Sequence, residues 1–153
     1  MTTEINYLAM YGLFLALLIL LQVLISARQH GLPSLFGNRE NLVSTGMTAR
    51  AERTVQNSVV AMVLIAPAVL MIAHNDLSSS STILSIQIFL TARIVYSVCF
   101  IFGITYLRTL SWITGFFTTG YLYLMLLWVS TELQSFLFFW LWLPNFRLVL
   151  YQK

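Results

Sequence analysis

Charge is what this sequence has least of. Only 8% of its 153 residues are Asp, Glu, Lys or Arg, against about 25% in a soluble domain. Hydrophobic residues make up 59%, and the mean hydropathy is +0.84. A water-soluble fold of this size could not hide so much apolar surface, so the chain reads as an integral membrane protein. Cysteine is nearly absent too. The single Cys99 lies in an apolar run, which excludes a disulfide within the chain and marks a small buried hydrophobe. No basic run or aromatic stacking platform is present, which leaves nucleic acid without a binding surface. There are no inverted repeats or paired broken helices, so a transporter or channel is disfavoured. His74 has no other ligand near it in sequence and reads as a solvated helix-end residue; no metal site is expected.

Long apolar runs are what remain. A bilayer core of roughly 30 Å needs about 20 apolar residues at 1.5 Å each, so the chain has room for four spans and little else. Span 1 is expected over Ile5 to Ala27, with Gln22 as its one strongly polar interior group, turned toward another helix. Residues 28–48 form the only long loop, punctuated by Gly31, Pro33, Gly37, Asn38 and Gly46. Thr48 is the expected N-cap of helix 2, which runs from Ala49 to Ala73 with Pro67 inside it. Helix 3 is expected from Thr82 to Tyr106 and helix 4 from Leu110 to Thr131, joined near Arg108. The apolar core of the remaining tail, Phe136 to Leu143, is too short to span. With Trp140, Trp142, Arg147, Tyr151 and Lys153 around it, residues 132–153 read as an aromatic interfacial tail. The fold class is therefore all-α: one four-span domain over 1–131, an integral membrane four-helix bundle, followed by that tail. Arg28, Arg39, Arg50, Arg53 and Arg108 fall beside the 1–2 and 3–4 connections, and the positive-inside rule puts those loops in the cytoplasm.

The polar residues that do occur are patterned. Arg50, Arg53 and Asn57 stand at i, i+3 and i+7 and stack on one helix face. Arg93, Tyr96 and Phe100 repeat that spacing on helix 3, with Gly103 beyond them. At its depth, an Arg93 facing lipid would cost at least about 2.5–3.5 kcal/mol, so it must face the bundle interior or a wet cavity. With Arg50, Arg53 and Arg108 it makes a cationic hollow, and only Glu40 and Glu52 are available nearby to neutralise it. Such a hollow suits a ligand carrying carboxylates. The competing reading is that these arginines merely snorkel to headgroups.

These residues resemble a known family, the membrane-associated proteins in eicosanoid and glutathione metabolism (MAPEG). The resemblance covers roughly residues 5–130. It rests on "FGNRENLVSTGMTARAERTVQN", similar to the "GNR" turn and "RAxRAxxN" helix start of the bacterial branch, on the mid-span Pro67, and on "ARIVYSVCFIFGITYLR" in helix 3. It implies a homotrimer of four-helix bundles in a bacterial inner membrane, binding glutathione between subunits on the cytoplasmic side. Arg50, Arg53 and Asn57 would then hold glutathione carboxylates and backbone, Arg93 and Tyr96 would line the pocket, and Arg108 would stabilise the thiolate. Three features depart from the family pattern. Val60 stands where helix 2 normally carries glutamate, Phe100 where tyrosine is common, and the tail from Glu132 has no counterpart.

Two functions follow. One is a glutathione-dependent transferase or peroxidase acting on lipophilic electrophiles, favoured by Arg53, Asn57, Arg93 and Arg108. The other is a non-catalytic lipid-binding or structural subunit of a larger membrane complex, favoured by Val60 and by the tail as a docking surface.

Overall fold

The structure, a computed structural model, describes residues 2–31, 36 and 42–129. Arg39, Glu40 and the tail over 132–153, all invoked above, lie outside the described residues. Among those described, four α-helices account for the fold: α1 (Thr3–His30), α2 (Gly46–His74), α3 (Ser80–Phe102) and α4 (Thr105–Val129). Each is long and apolar enough to cross a membrane, so the chain is an integral, multi-pass membrane protein. Apolar side chains such as Leu13, Leu17 and Leu20 on α1 and Phe117 and Leu124 on α4 stand exposed on the bundle's flank. That is the side chain distribution a lipid solvent asks for, because backbone polarity is satisfied inside each helix.

The core lies between α1, α2 and α3, closed by α4. Tyr11, Ile65, Ala68, Val69, Ile72, Ile86, Phe89 and Leu122 form one buried cluster. Tyr11 meets Phe89 edge-on, with ring centroids 5.1 Å apart. Its hydroxyl donates to the Ser58 carbonyl at 2.9 Å, which satisfies the one polar atom that the ring brings inside. Glu4, 1% exposed, closes the opposite end. Its Oε1 accepts hydrogen bonds from the Ser78 hydroxyl at 2.6 Å and the Thr82 hydroxyl at 2.7 Å. The carboxylate thus sits at the start of α3, where the helix dipole favours negative charge, and Ser79 caps that helix in a reciprocal pair with Thr82.

Three local details differ from the sequence expectation. The N-cap of α2 is Thr45, not Thr48. Gly46 takes the left-handed φ of 56°, so the chain turns into the helix earlier, and Thr48 is buried in its first turn. The Gln29 amide and the Thr45 hydroxyl lie 2.9 Å apart and are hydrogen-bonded across that entry. Second, α3 ends at Phe102 rather than Tyr106. Gly103 adopts φ 83°, its N–H donates to the Phe100 carbonyl at 3.2 Å, and the Ile104 N–H donates to the Cys99 carbonyl at 2.8 Å. This paired C-terminal arrangement is one that glycine favours. Third, and as a result, Arg108 is not on the connection but in the first turn of α4. Gln22 is half-buried, and its side chain makes no hydrogen bond among the described residues.

Candidate functional site

The structure sorts the expected cationic constellation into separate places. Arg50 serves the scaffold: its Nε donates to the Ile101 carbonyl at 2.9 Å. That bond ties α2 to one of the last carbonyls of α3, where a cation is favoured by the helix dipole. Arg53 is exposed and borders a polar hollow of about 480 Å³ with Ser26, His30, Ser44, Glu52 and Gln56. The Ser44 hydroxyl donates to Glu52 at 2.6 Å in that hollow. Arg50, Arg53 and Asn57 therefore do not line one common hollow in the structure.

Asn57, Tyr96 and Arg108 do come together. With Phe100, Thr109 and Trp112 they line a hollow of about 260 Å³ between α2, α3 and the start of α4. The Asn57 amide donates back to the Arg53 carbonyl at 2.9 Å, which fixes the side chain and leaves its oxygen free of that bond. The Arg108 guanidinium lies over the Phe100 ring, 4.7 Å from its centroid. Tyr96 meets the same ring at 71°, centroids 5.6 Å apart, so Phe100 is the platform on which both polar groups are oriented. Arg108 adds its charge to the positive end of α4, and no carboxylate among the described residues lines the hollow.

Asn57 and Trp112 are also walls of a second, larger chamber of about 360 Å³. Its other walls include Val60, Leu64, Phe116 and Tyr123, with Arg93 among them. Arg93 is 5% exposed. Its guanidinium lies 5.6 Å from the Phe89 centroid and 5.4 Å from the Tyr96 centroid. Nε and Nη1 are buried and have no hydrogen-bond partner. Gly115 leaves room for this placement: a Cβ there would stand 3.3 Å from Nε, a tight contact. Arg93 is thus inside the bundle as its cost in lipid demands, but in the apolar chamber next to the polar hollow rather than in it. The contributions of Trp112 and Gly115 were not foreseen from sequence. Trp112 lies four residues after Arg108 on α4, and this i, i+4 spacing was the available signal.

A third feature lies between α1, the start of α2 and α3. It is a mainly apolar cavity of about 690 Å³, lined by Phe14, Leu18, Leu21, Ile25, Val98 and Ile101, with Arg28 also in its wall. No group of His, Cys, Asp or Glu among the described residues could hold a metal ion.

Four helices long and apolar enough to cross a membrane, with arginine-lined hollows beside them, define a small multi-pass membrane protein. Residues 7–128 match the MAPEG family, and the chain belongs to it. No curated protein matches the sequence closely enough to add a more specific relative.

Proposed function

We propose that the protein is a glutathione-dependent transferase or peroxidase acting on lipophilic electrophiles. The observation that carries this reading is the convergence of Asn57, Tyr96 and Arg108 on one hollow with no carboxylate from the described residues in its wall. A thiol near its free pKa is mostly protonated at neutral pH, and a cation beside it favours the nucleophilic thiolate. Arg108 is assigned that role. The sulfur then bonds to an electrophilic carbon, the thiol proton having passed to solvent, and the displaced group leaves or the adduct takes up a proton. Asn57 and Tyr96 orient the peptide by hydrogen bonds.

A hollow of about 260 Å³ accommodates the thiol and its flanking groups but not a whole tripeptide. This supports a homotrimer in which a neighbouring copy completes the site and Arg53, exposed on its own subunit, meets the ligand of the adjoining one. The half-buried Gln22, without a hydrogen-bond partner among the described residues, supports the same assembly, because an amide in lipid seeks a partner. The basic loops are assigned to the cytoplasmic side of a bacterial inner membrane, and the tail over 132–153 to a contact with a larger complex. Isothermal titration of glutathione into the protein in nanodiscs tests the reading. Binding is expected, and Arg108→Leu is expected to weaken it by about tenfold or more, as loss of a charge-assisted hydrogen bond does. Absence of heat on glutathione addition overturns it.

The second reading, a non-catalytic lipid-binding subunit, is favoured by the cavity of about 690 Å³. Its apolar walls and Arg28 suit a lipid tail below an anionic headgroup. Co-purified lipid that survives exchange, together with silence toward glutathione, supports it over the first.

A further inference from the structure

Among the described residues, Arg93 is a buried cation without an ion-pair partner. Its Nε and Nη1 have no acceptor, no ion pair joins it to any described carboxylate, and it is 5% exposed. The three described carboxylates lie elsewhere: Glu4 accepts from Ser78 and Thr82, Glu52 accepts from Ser44, and Asp76 stands in the turn between α2 and α3. Gln87, on the same helix, donates its amide to Tyr7 at 2.7 Å. The two rings that flank Arg93 hold the guanidinium in place but accept no hydrogen bond in the ring plane. A charge at this depth is costly unless a counter-charge, backbone carbonyls or water meets it.

The chamber that Arg93 lines is otherwise mainly apolar and aromatic, with Asn57 and Thr119 as its other polar walls. Trp112 and Phe116 stack with centroids 5.5 Å apart and planes 11° from parallel, and both are walls of the chamber with Val60, Leu64 and Tyr123. Its volume, about 360 Å³, lies at the small end of ligand pockets. Aromatic walls favour a flat apolar body. A planar guanidinium fork matches a carboxylate in two parallel hydrogen bonds.

We infer that this chamber binds a compact lipophilic acid, a single carboxylate on a flat apolar body, with the acid group paired to Arg93. Asn57 and Trp112 are walls of both this chamber and the Arg108 hollow, so the acid is held beside the place assigned to the thiolate. The binding claim stands on the chamber alone; only naming the acid as acceptor substrate rests on the transferase reading above. Val60 then acts as a specificity-determining residue, because it is a wall of the chamber that brings no charge to compete for Arg93.

The test uses the full chain in nanodiscs of zwitterionic lipid, titrated with naphthoate and, separately, with methyl naphthoate. The acid is expected to bind about tenfold or more tighter than the ester. Arg93→Gln is expected to remove that preference while leaving ester binding in place. Val60→Glu, which brings a carboxylate of its own into the chamber, is expected to suppress naphthoate binding and serves as the second variant if Arg93→Gln does not fold. Equal binding of acid and ester by the unmodified protein overturns the inference, as does a preference that survives both substitutions. Glutathione is titrated into the same preparations. Glutathione binding without acid preference sinks this inference and leaves the transferase reading standing. Acid preference without glutathione binding does the reverse.

Discussion

Replacing Arg93 by methionine is expected to stabilise the ligand-free protein. The guanidinium is always charged, and its Nε and Nη1 are buried without acceptors. Each unsatisfied buried donor costs about 1–3 kcal/mol. Against this stand two cation–π contacts, at 5.6 Å from Phe89 and 5.4 Å from Tyr96, each returning about 0.5–2 kcal/mol. Methionine matches the length of the arginine stem and keeps a sulfur near both rings, worth about 0.3–1.5 kcal/mol. The favourable contacts therefore nearly survive the substitution and the unsatisfied donors do not. Replacing a buried ion with an apolar side chain of similar volume can stabilise by about 1–4 kcal/mol. At about 2–4 °C per kcal/mol for a chain of this size, the melting midpoint should rise by at least about 2 °C. Thermal unfolding followed by circular dichroism in ligand-free nanodiscs measures it. A midpoint below that of the unmodified protein would show that the guanidinium is already satisfied, and would refute the reasoning. Saturating naphthoate should shrink or reverse the difference, since only the arginine form gains a counter-ion.

Further outcomes follow from the scaffold. Glu4→Gln removes a charge that accepts from Ser78 and Thr82 and should lower stability by about 1–3 kcal/mol, read as a lower melting midpoint. Gly103→Ala forces a side chain into φ 83° and should cost about 1–2 kcal/mol; an unchanged midpoint would mean that α3 ends differently. Tyr11→Phe deletes the buried bond to the Ser58 carbonyl and should cost about 1 kcal/mol, with no change in glutathione affinity. Native mass spectrometry in mild detergent should report a trimer, and a clean monomer would remove the proposed inter-subunit site.

The spans were legible because lipid imposes a length and a polarity on each helix, so composition alone locates them. Their ends were not. The break at Gly103 depends on one left-handed residue and two backbone hydrogen bonds, which hydropathy does not register, and Arg108 moved onto α4 as a result. The inward placement of Arg93 was readable from the cost of charge in lipid. Its neighbours were not, since Trp112 and Gly115 come from α4, and only the packing angle of that helix brings them to α3. The spacing of Arg50, Arg53 and Asn57 put them on one face correctly, but a helix face is wide. The Ile101 carbonyl holds Arg50, and Arg53 opens on another hollow, distinctions that no periodicity carries.

The clasp at Glu4 also sets an order of events at synthesis. The carboxylate enters the membrane with the first span, yet its partners lie 74 and 78 residues later in the chain. Tyr11 likewise waits for Phe89 to close its ring contact. A ribosome that has delivered only α1 and α2 has therefore released a hairpin whose acidic end and aromatic core face are still open. The bundle can lock only when α3 arrives. Until then the Glu4 carboxylate lacks the two hydroxyl donors that hold it in the finished bundle.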